Sequence, residues 1–294
     1  MHHLSGGLSR RHFLIATTAA ALVRPGWASG WDDDFAKVER ESGGKLGVYV
    51  LDTGSNAHFG WREDSRFPFC SSFKAPLAAF VLWLSDQGRL ALDQVVRYGE
   101  PDLLPYAPTT RANVKNGGMT IDALCAAAVL LSDNTAANLL LRETGGPQAL
   151  TEWMRWQGDS DFQLSDNEPK LNLSRFADAA NTTTAKAMAG SFSRFLSGPL
   201  LTPASQARFK DWILANQTGA KRLRAGLPAA WQVGDKTGTF NEGFYSTVDI
   251  AAAWPGARKP IIISAFSTDT PDTQSGERAL AAIARLAASW VQKQ

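Results

Sequence analysis

The feature that most constrains this chain is where its strand-like segments fall. Residues 46–51 (Leu-Gly-Val-Tyr-Val-Leu) read as a strand, Thr53-Gly54-Ser55-Asn56 as a turn, and 57–62 as a hairpin partner. Strand signals then lapse until 231–234, 244–254 and 259–268. There 246–250 alternates, and Ile261-Ile262-Ile263 reads as buried on both faces. The intervening stretch carries helical periodicity at 74–87, 121–132, 135–144, 147–157 and 183–197, with stops at Gly88 and Gly145-Gly146. Further helices are expected at 32–41, before Ser42-Gly43-Gly44, and at 276–291. Strands at both ends of a chain pair only if the ends meet. The expected class is therefore α/β of the α+β type: a discontinuous domain (30–66 and 216–294) with a mainly antiparallel sheet flanked by helices. An all-α domain (67–215) is inserted in it. Residues 159–181 form a long, polar, irregular stretch, and loops of that length are often functional.

The first residues differ from the rest. Arg10-Arg11 precede a short apolar run that reaches Val23, and small residues follow near Ala28. That order predicts an export signal over 1–29, of the twin-arginine type, and a periplasmic or secreted mature protein. The apolar run is shorter than the ~18 residues that span a bilayer, so no stable membrane anchor is expected. A net charge of +2 and the lack of a Lys/Arg run argue against a nucleic-acid partner.

Histidine limits the chemistry. The four histidines are His2, His3, His12 and His58, so only His58 outlasts export, and it reads as a hairpin surface residue. A zinc site built on several histidines is excluded, and no metal or other cofactor is expected. A serine nucleophile would need lysine or glutamate as its base. Ser71-x-x-Lys74 puts a hydroxyl and an amine on one face of a helix start. Alone it is weak, because Ser42-Gly43-Gly44-Lys45 has the same pattern in a turn. Ser132-Asp133-Asn134 offers a second hydroxyl and an amide, yet Ser165-Asp166-Asn167 repeats the triplet and either could be loop capping. Lys236-Thr237-Gly238-Thr239 lies on a predicted strand. Alternation there sends Lys236 and Gly238 to one side and Thr237 and Thr239 to the other.

Taken in order, Ser71-x-x-Lys74, Ser132-Asp133-Asn134, Glu168-x-x-x-Asn172 and Lys236-Thr237-Gly238 resemble the class A β-lactamases, from about residue 34 to the C-terminus. The resemblance implies a β-lactamase/transpeptidase-like fold, a monomer, and hydrolysis of the β-lactam ring of penicillins and cephalosporins, conferring resistance. It further implies roles: Ser71 as nucleophile, Lys74 or Glu168 as its base, Ser132 as proton relay to the lactam nitrogen. Glu168 and Asn172 would hold the deacylating water, and backbone N–H groups of Ser71 and Thr239 the oxyanion. Asn134 would bind the substrate amide, and Lys236, Thr237, Thr239 and Arg222 its carboxylate. Arg222, Thr239 and Cys70 bring carbapenems into range.

Three departures from the family pattern stand out. Asp166 replaces the usual arginine before the catalytic glutamate and Asn181 its aspartate partner, so the loop is expected to lack its closing ion pair and to be more mobile. Arg175 is then expected to compensate by pairing with Asp166 or Asp178. Ala78 stands where a partner for Cys125 would be, and Phe240 where a partner for Cys70 would be, so both thiols are expected free. A penicillin-sensitive cell-wall peptidase shares three of the motifs but generally lacks the deacylating glutamate. A drug-sensing receptor domain that stays acylated is a further alternative, without its usual membrane attachment here.

Overall fold

The structure is a computed structural model that describes residue 2 and residues 28–293. The expected export signal lies, up to residue 27, outside the described residues.

Five strands form one antiparallel sheet in the order β2-β1-β5-β4-β3. They are β1 (Lys45–Asp52), β2 (His58–Trp61), β3 (Gln232–Phe240), β4 (Tyr245–Trp254) and β5 (Ile261–Thr270). The two ends of the chain meet at β1 and β5, in register from Lys45 opposite Thr268 to Asp52 opposite Ile261. Beyond it β4 pairs with β5 and β3 with β4, which sets Lys236 opposite Ile250 and Gly238 opposite Val248. The third strand joins the expected 231–234 to the segment 236–239, also expected on a strand, and its polar run Asp235-Lys236-Thr237 is buried.

Each face of the sheet has its own apolar layer. Val50, Ala251, Ile261 and Ile263 pack with Phe35 and Val38 of α1 (Ala28–Ser42) and with Ile283, Ala284 and Ala287 of the closing helix. The opposite face, with Val248, Ile250, Ile262 and Phe266, joins the large core of the helical region. The Ile261–Ile263 triplet thus serves both layers, as its continuous apolarity requires.

The helical region contains α2 (Lys74–Asp86), α3 (Ile121–Leu130), α4 (Asn134–Thr144), α5 (Gly146–Trp156), α6 (Ala185–Leu196) and α7 (Pro203–Leu214); α8 (Thr273–Gln292) closes the chain. Side-chain oxygens cap several starts: Thr120 for α3, Asp133 for α4, Thr184 for α6, Thr202 for α7 and Asp272 for α8. Gly145, at φ 95°, ends α4 in the left-handed conformation. Two expectations shift here. Thr182–Thr184 pairs as a strand with Arg66–Pro68, so α6 starts after it, and α7 had not been singled out as a helix. No helix of the described residues is long and apolar enough to cross a membrane.

Candidate active site

The cleft lies where the helical region meets β3. Ser71 sits in a 3-10 turn, Cys70–Phe73, which leads directly into α2 at Lys74. In that geometry residues three apart stack, so the turn itself brings the Lys74 amine to the Ser71 hydroxyl, 2.9 Å away. Ser71 Oγ also donates to Glu168 Oε1 at 3.1 Å, and Lys74 Nζ lies 3.0 Å from the same oxygen. The Lys74 and Glu168 side chains are wholly buried. Burial pushes the Lys74 ammonium below the ordinary lysine range, and the Glu168 charge opposes that shift.

Lys74 further donates to Ser132 O at 2.9 Å and to Asn134 Oδ1. Ser132 stands between two amines, since Lys236 Nζ donates to its Oγ at 3.0 Å. Burial, with Lys74 and Arg222 nearby, holds Lys236 well below the lysine range. Asp133, the middle of the triplet, does other work: it caps α4 and accepts from the Thr109 and Thr110 N–H groups.

Thr237 Oγ1 meets Thr218 Oγ1. Arg222 is buried and braces the strand from behind, donating to Gly238 O and Val248 O at 2.8 Å each and to Thr239 Oγ1 at 2.6 Å. The alternation expected along β3 therefore holds. Lys236 reaches Ser132 and Gly238 lies against the turn that holds Ser71, while Thr237 meets Thr218 and Thr239 meets Arg222.

Two of the eight non-glycine residues with positive φ among the described residues stand at the serine turns. Cys70 (φ 46°) and Ser132 (φ 59°) both occupy the left-handed region without being glycine. Such residues cost about 1–3 kcal/mol each and cluster at functional sites.

Glu168 comes from the polar stretch between α5 and α6. Asn138 of α4 clamps its backbone on both sides, accepting from Glu168 N at 3.0 Å and donating to Glu168 O at 2.9 Å. Asn172 Nδ2 donates to Glu168 Oε2 at 2.7 Å, while Asn172 Oδ1 is buried without a protein partner. All ten anticipated site residues thus come together where the helical region meets β3.

The chain as a whole is similar to known proteins. The profile described as "Beta-lactamase enzyme family" matches residues 31–291. Carbapenem-hydrolyzing beta-lactamase KPC of Klebsiella oxytoca is 44% identical over 257 residues, covering 87% of each chain. Beta-lactamase CTX-M-8 of Citrobacter amalonaticus is 39% identical over 283 residues, 94% of this chain and 96% of the relative. Among solved structures, an ancestral (GNCA) class A β-lactamase superposes with a TM-score of 0.85 at 47% identity, covering 90% of this chain and 99% of that one. The chain belongs to the class A β-lactamases. It is a serine β-lactamase by family, and it hydrolyses β-lactams.

Within this β-lactamase the loop is closed differently from expectation. The ion pair is replaced by the Asn181 amide, whose Oδ1 accepts from Ser165 N (2.9 Å) and Asp166 N (3.0 Å) while Nδ2 donates to Asp166 Oδ2 and Ser174 Oγ. Lys170 pairs with Asp166 at 2.6 Å. The expected pairing of the Arg175 side chain with Asp166 or Asp178 is corrected. Its guanidinium lies 3.8 Å from the Phe244 ring centre and 3.8 Å from Asp269 Oδ1, and only its backbone N–H reaches Asp178. An aromatic face and a second carboxylate offered it better partners than the loop did.

Both cysteines are free and buried, as expected. Burial pushes the Cys70 thiol up to about 12, which leaves it protonated and unfit as a nucleophile beside Ser71. Two site residues escaped sequence reasoning, Asn138 and Thr218. Asn138 had a usable signal: it lies four residues after Asn134 on one helix face, a polar position among Ala136, Ala137, Leu139 and Leu140.

Proposed function

We propose that the enzyme works through an acyl-enzyme on Ser71. The observation that carries this reading is one hydroxyl held by two buried groups, the Lys74 amine at 2.9 Å and the Glu168 carboxylate at 3.1 Å. Either can take the proton as Ser71 Oγ attacks the lactam carbonyl, and the N–H groups of Ser71 and Thr239 receive the oxyanion. The C–N bond of the ring then breaks. Ser132, fed by Lys74 and Lys236, delivers a proton to the leaving nitrogen. Glu168 next draws a proton from a water that attacks the ester and frees Ser71. The buried, unpartnered Asn172 Oδ1 beside Glu168 suits that water.

Substrate binding follows the charge. Arg222 lies buried against Thr239 and the Lys236 amine reaches Ser132 from the other side of β3, two basic groups that match the carboxylate that β-lactams carry. Asn134 takes the side-chain amide. The substrate range extends to carbapenems, a reading supported by Arg222 bracing Thr239 and by the likeness to a carbapenem-hydrolysing relative. The cleft divides a sheet domain (30–66 and 216–294) from a helical one (67–215). The enzyme acts as a monomer, exported to the periplasm by the twin-arginine route after removal of 1–29.

Proteolytic mapping of enzyme quenched in acid during benzylpenicillin turnover tests the nucleophile. The adduct is expected on the peptide containing Ser71 and absent from Ser71→Ala. An adduct elsewhere, or one that persists in Ser71→Ala, overturns the assignment.

A further inference from the structure

The far end of the β3–β4 pair carries a second cleft. Near the nucleophile Thr239 stands opposite Thr247, whereas at the far end Gln232 stands opposite Trp254. Seven strand residues, roughly 23 Å, separate the two levels. The cleft beside Trp254 has a volume of about 390 Å³. One wall is a face of α7, where Pro203, Gln206, Ala207 and Lys210 recur at helical spacing while Phe209 and Ile213 are buried in the core. The other wall is Trp254 with Lys259 and Pro260, which lead into β5; Leu196, the last residue of α6, also lines it.

Hydrogen bonds hold both walls. Thr53 donates to Pro260 O through its N–H at 3.2 Å and its Oγ1 at 2.7 Å. Gln206 Nε2 donates to Gly198 O at 2.7 Å and to Leu201 O at 3.0 Å. The charge inside is one-sided, since two lysines line the cleft and no acidic side chain does. Asp52, the acidic neighbour of Thr53, is already paired with Arg258 at 3.0 Å. The Lys210 ammonium lies over the Trp254 ring, 4.3 Å from its centre. The electron-rich ring face draws a cation there, so this charge is fixed at the wall before a ligand arrives and costs less to order on binding. Leu196, Pro203, Ala207 and Pro260 give the rest of the lining an apolar character. Fixed positive charge beside an indole and an apolar wall matches a ligand with one flat apolar part and one anionic group.

We propose that this cleft is a binding site for a small planar aromatic carboxylate, with its ring against Trp254 and the apolar wall and its anionic group on Lys210 and Lys259. The site is independent of the acyl-enzyme reading, because none of these residues belongs to the Ser71 cleft.

The test titrates the enzyme with three indoles of similar size and different charge: indole-3-acetate, the neutral alcohol tryptophol and the cation tryptamine. Amide chemical shifts are followed throughout. Indole-3-acetate is expected to give saturable shifts confined to 196–197, 206–210 and 254–260, with a Kd of about 1 mM or below. Tryptophol should bind about tenfold more weakly and tryptamine more weakly still. Lys210→Gln and Lys259→Gln should each weaken indole-3-acetate about threefold. Both variants should keep benzylpenicillin kcat/KM within about twofold of the parent, which separates lost binding from lost fold. Shifts that do not saturate, or equal affinity for the three indoles, overturn the proposal as adventitious binding only. Shifts centred on Ser71 and Lys236 overturn it as well, because the anion then prefers the catalytic cleft, and so do lysine variants that bind like the parent.

Discussion

Gly238 illustrates how little room the nucleophile has. A Cβ there would meet Phe69 O at 2.5 Å and Cys70 Cβ at 3.0 Å, so any side chain forces β3 away from the turn that holds Ser71. The N–H groups proposed to receive the oxyanion, those of Ser71 and Thr239, belong to the two sides of that gap. Gly238→Ala is therefore expected to lower kcat/KM by about 10²-fold, the usual effect of an ångström of misplacement, with little change in KM. Steady-state kinetics on benzylpenicillin checks this; a variant within threefold of the parent would show that the gap is slack. The same scale explains why the motifs were legible and Thr218 was not. Ser71, Lys74, Ser132 and Lys236 were legible through the ordered set of motifs that resembles the family, since each motif alone is weak. Thr218 reaches the site from a loop that no spacing rule encodes, whereas Asn138 follows Asn134 by one helical turn and was legible there.

At the scale of elements, one carboxylate joins α1 to the hairpin. Glu39 accepts from Leu46 N at 3.1 Å, from Trp61 Nε1 at 2.9 Å and from both Arg62 Nε (2.9 Å) and NH2 (2.8 Å). Burial alone would raise its pKa, but the hydrogen bonds from Arg62, Trp61 and Leu46 outweigh it and hold the group at about 2, against 4.5 when free. A carboxylate lowered in the folded state stabilises fully above about 4.5, and that stability is lost as pH falls through about 2. After solvent screening the contribution is about 1–2 kcal/mol. Glu39→Gln is expected to lower the urea midpoint at pH 7 and to flatten its decline between pH 4.5 and 2. Parallel declines in the two proteins would assign the acid sensitivity elsewhere. Elements were the most readable level of the sequence: α2 and α4 lie within a residue or so of the periodic segments that predicted them. The long strand β3 was read in two pieces, 231–234 and 236–239, because its buried polar run Asp235-Lys236-Thr237 serves the site rather than the core.

At the scale of the whole molecule, the meeting of β1 with β5 turns a strand-poor middle into an insertion and leaves a cleft along β3. The sequence made that closure legible, since unpaired strands at both ends have no other partner. The manner in which the Glu168 loop closes was not legible. Asp166 and Asn181 looked like a lost ion pair, and only the fold reveals that one amide can satisfy both strands of the loop. The central claim is that a buried base beside Ser71 completes a cycle rather than forming a dead end. Time-resolved intact mass of the enzyme with excess benzylpenicillin, followed together with lactam absorbance, tests it most directly. The account predicts that the parent consumes the lactam and returns to its free mass, while Glu168→Ala accumulates one adduct per chain. A stable adduct on the parent without turnover, or a Glu168→Ala variant that turns over like the parent, would contradict it.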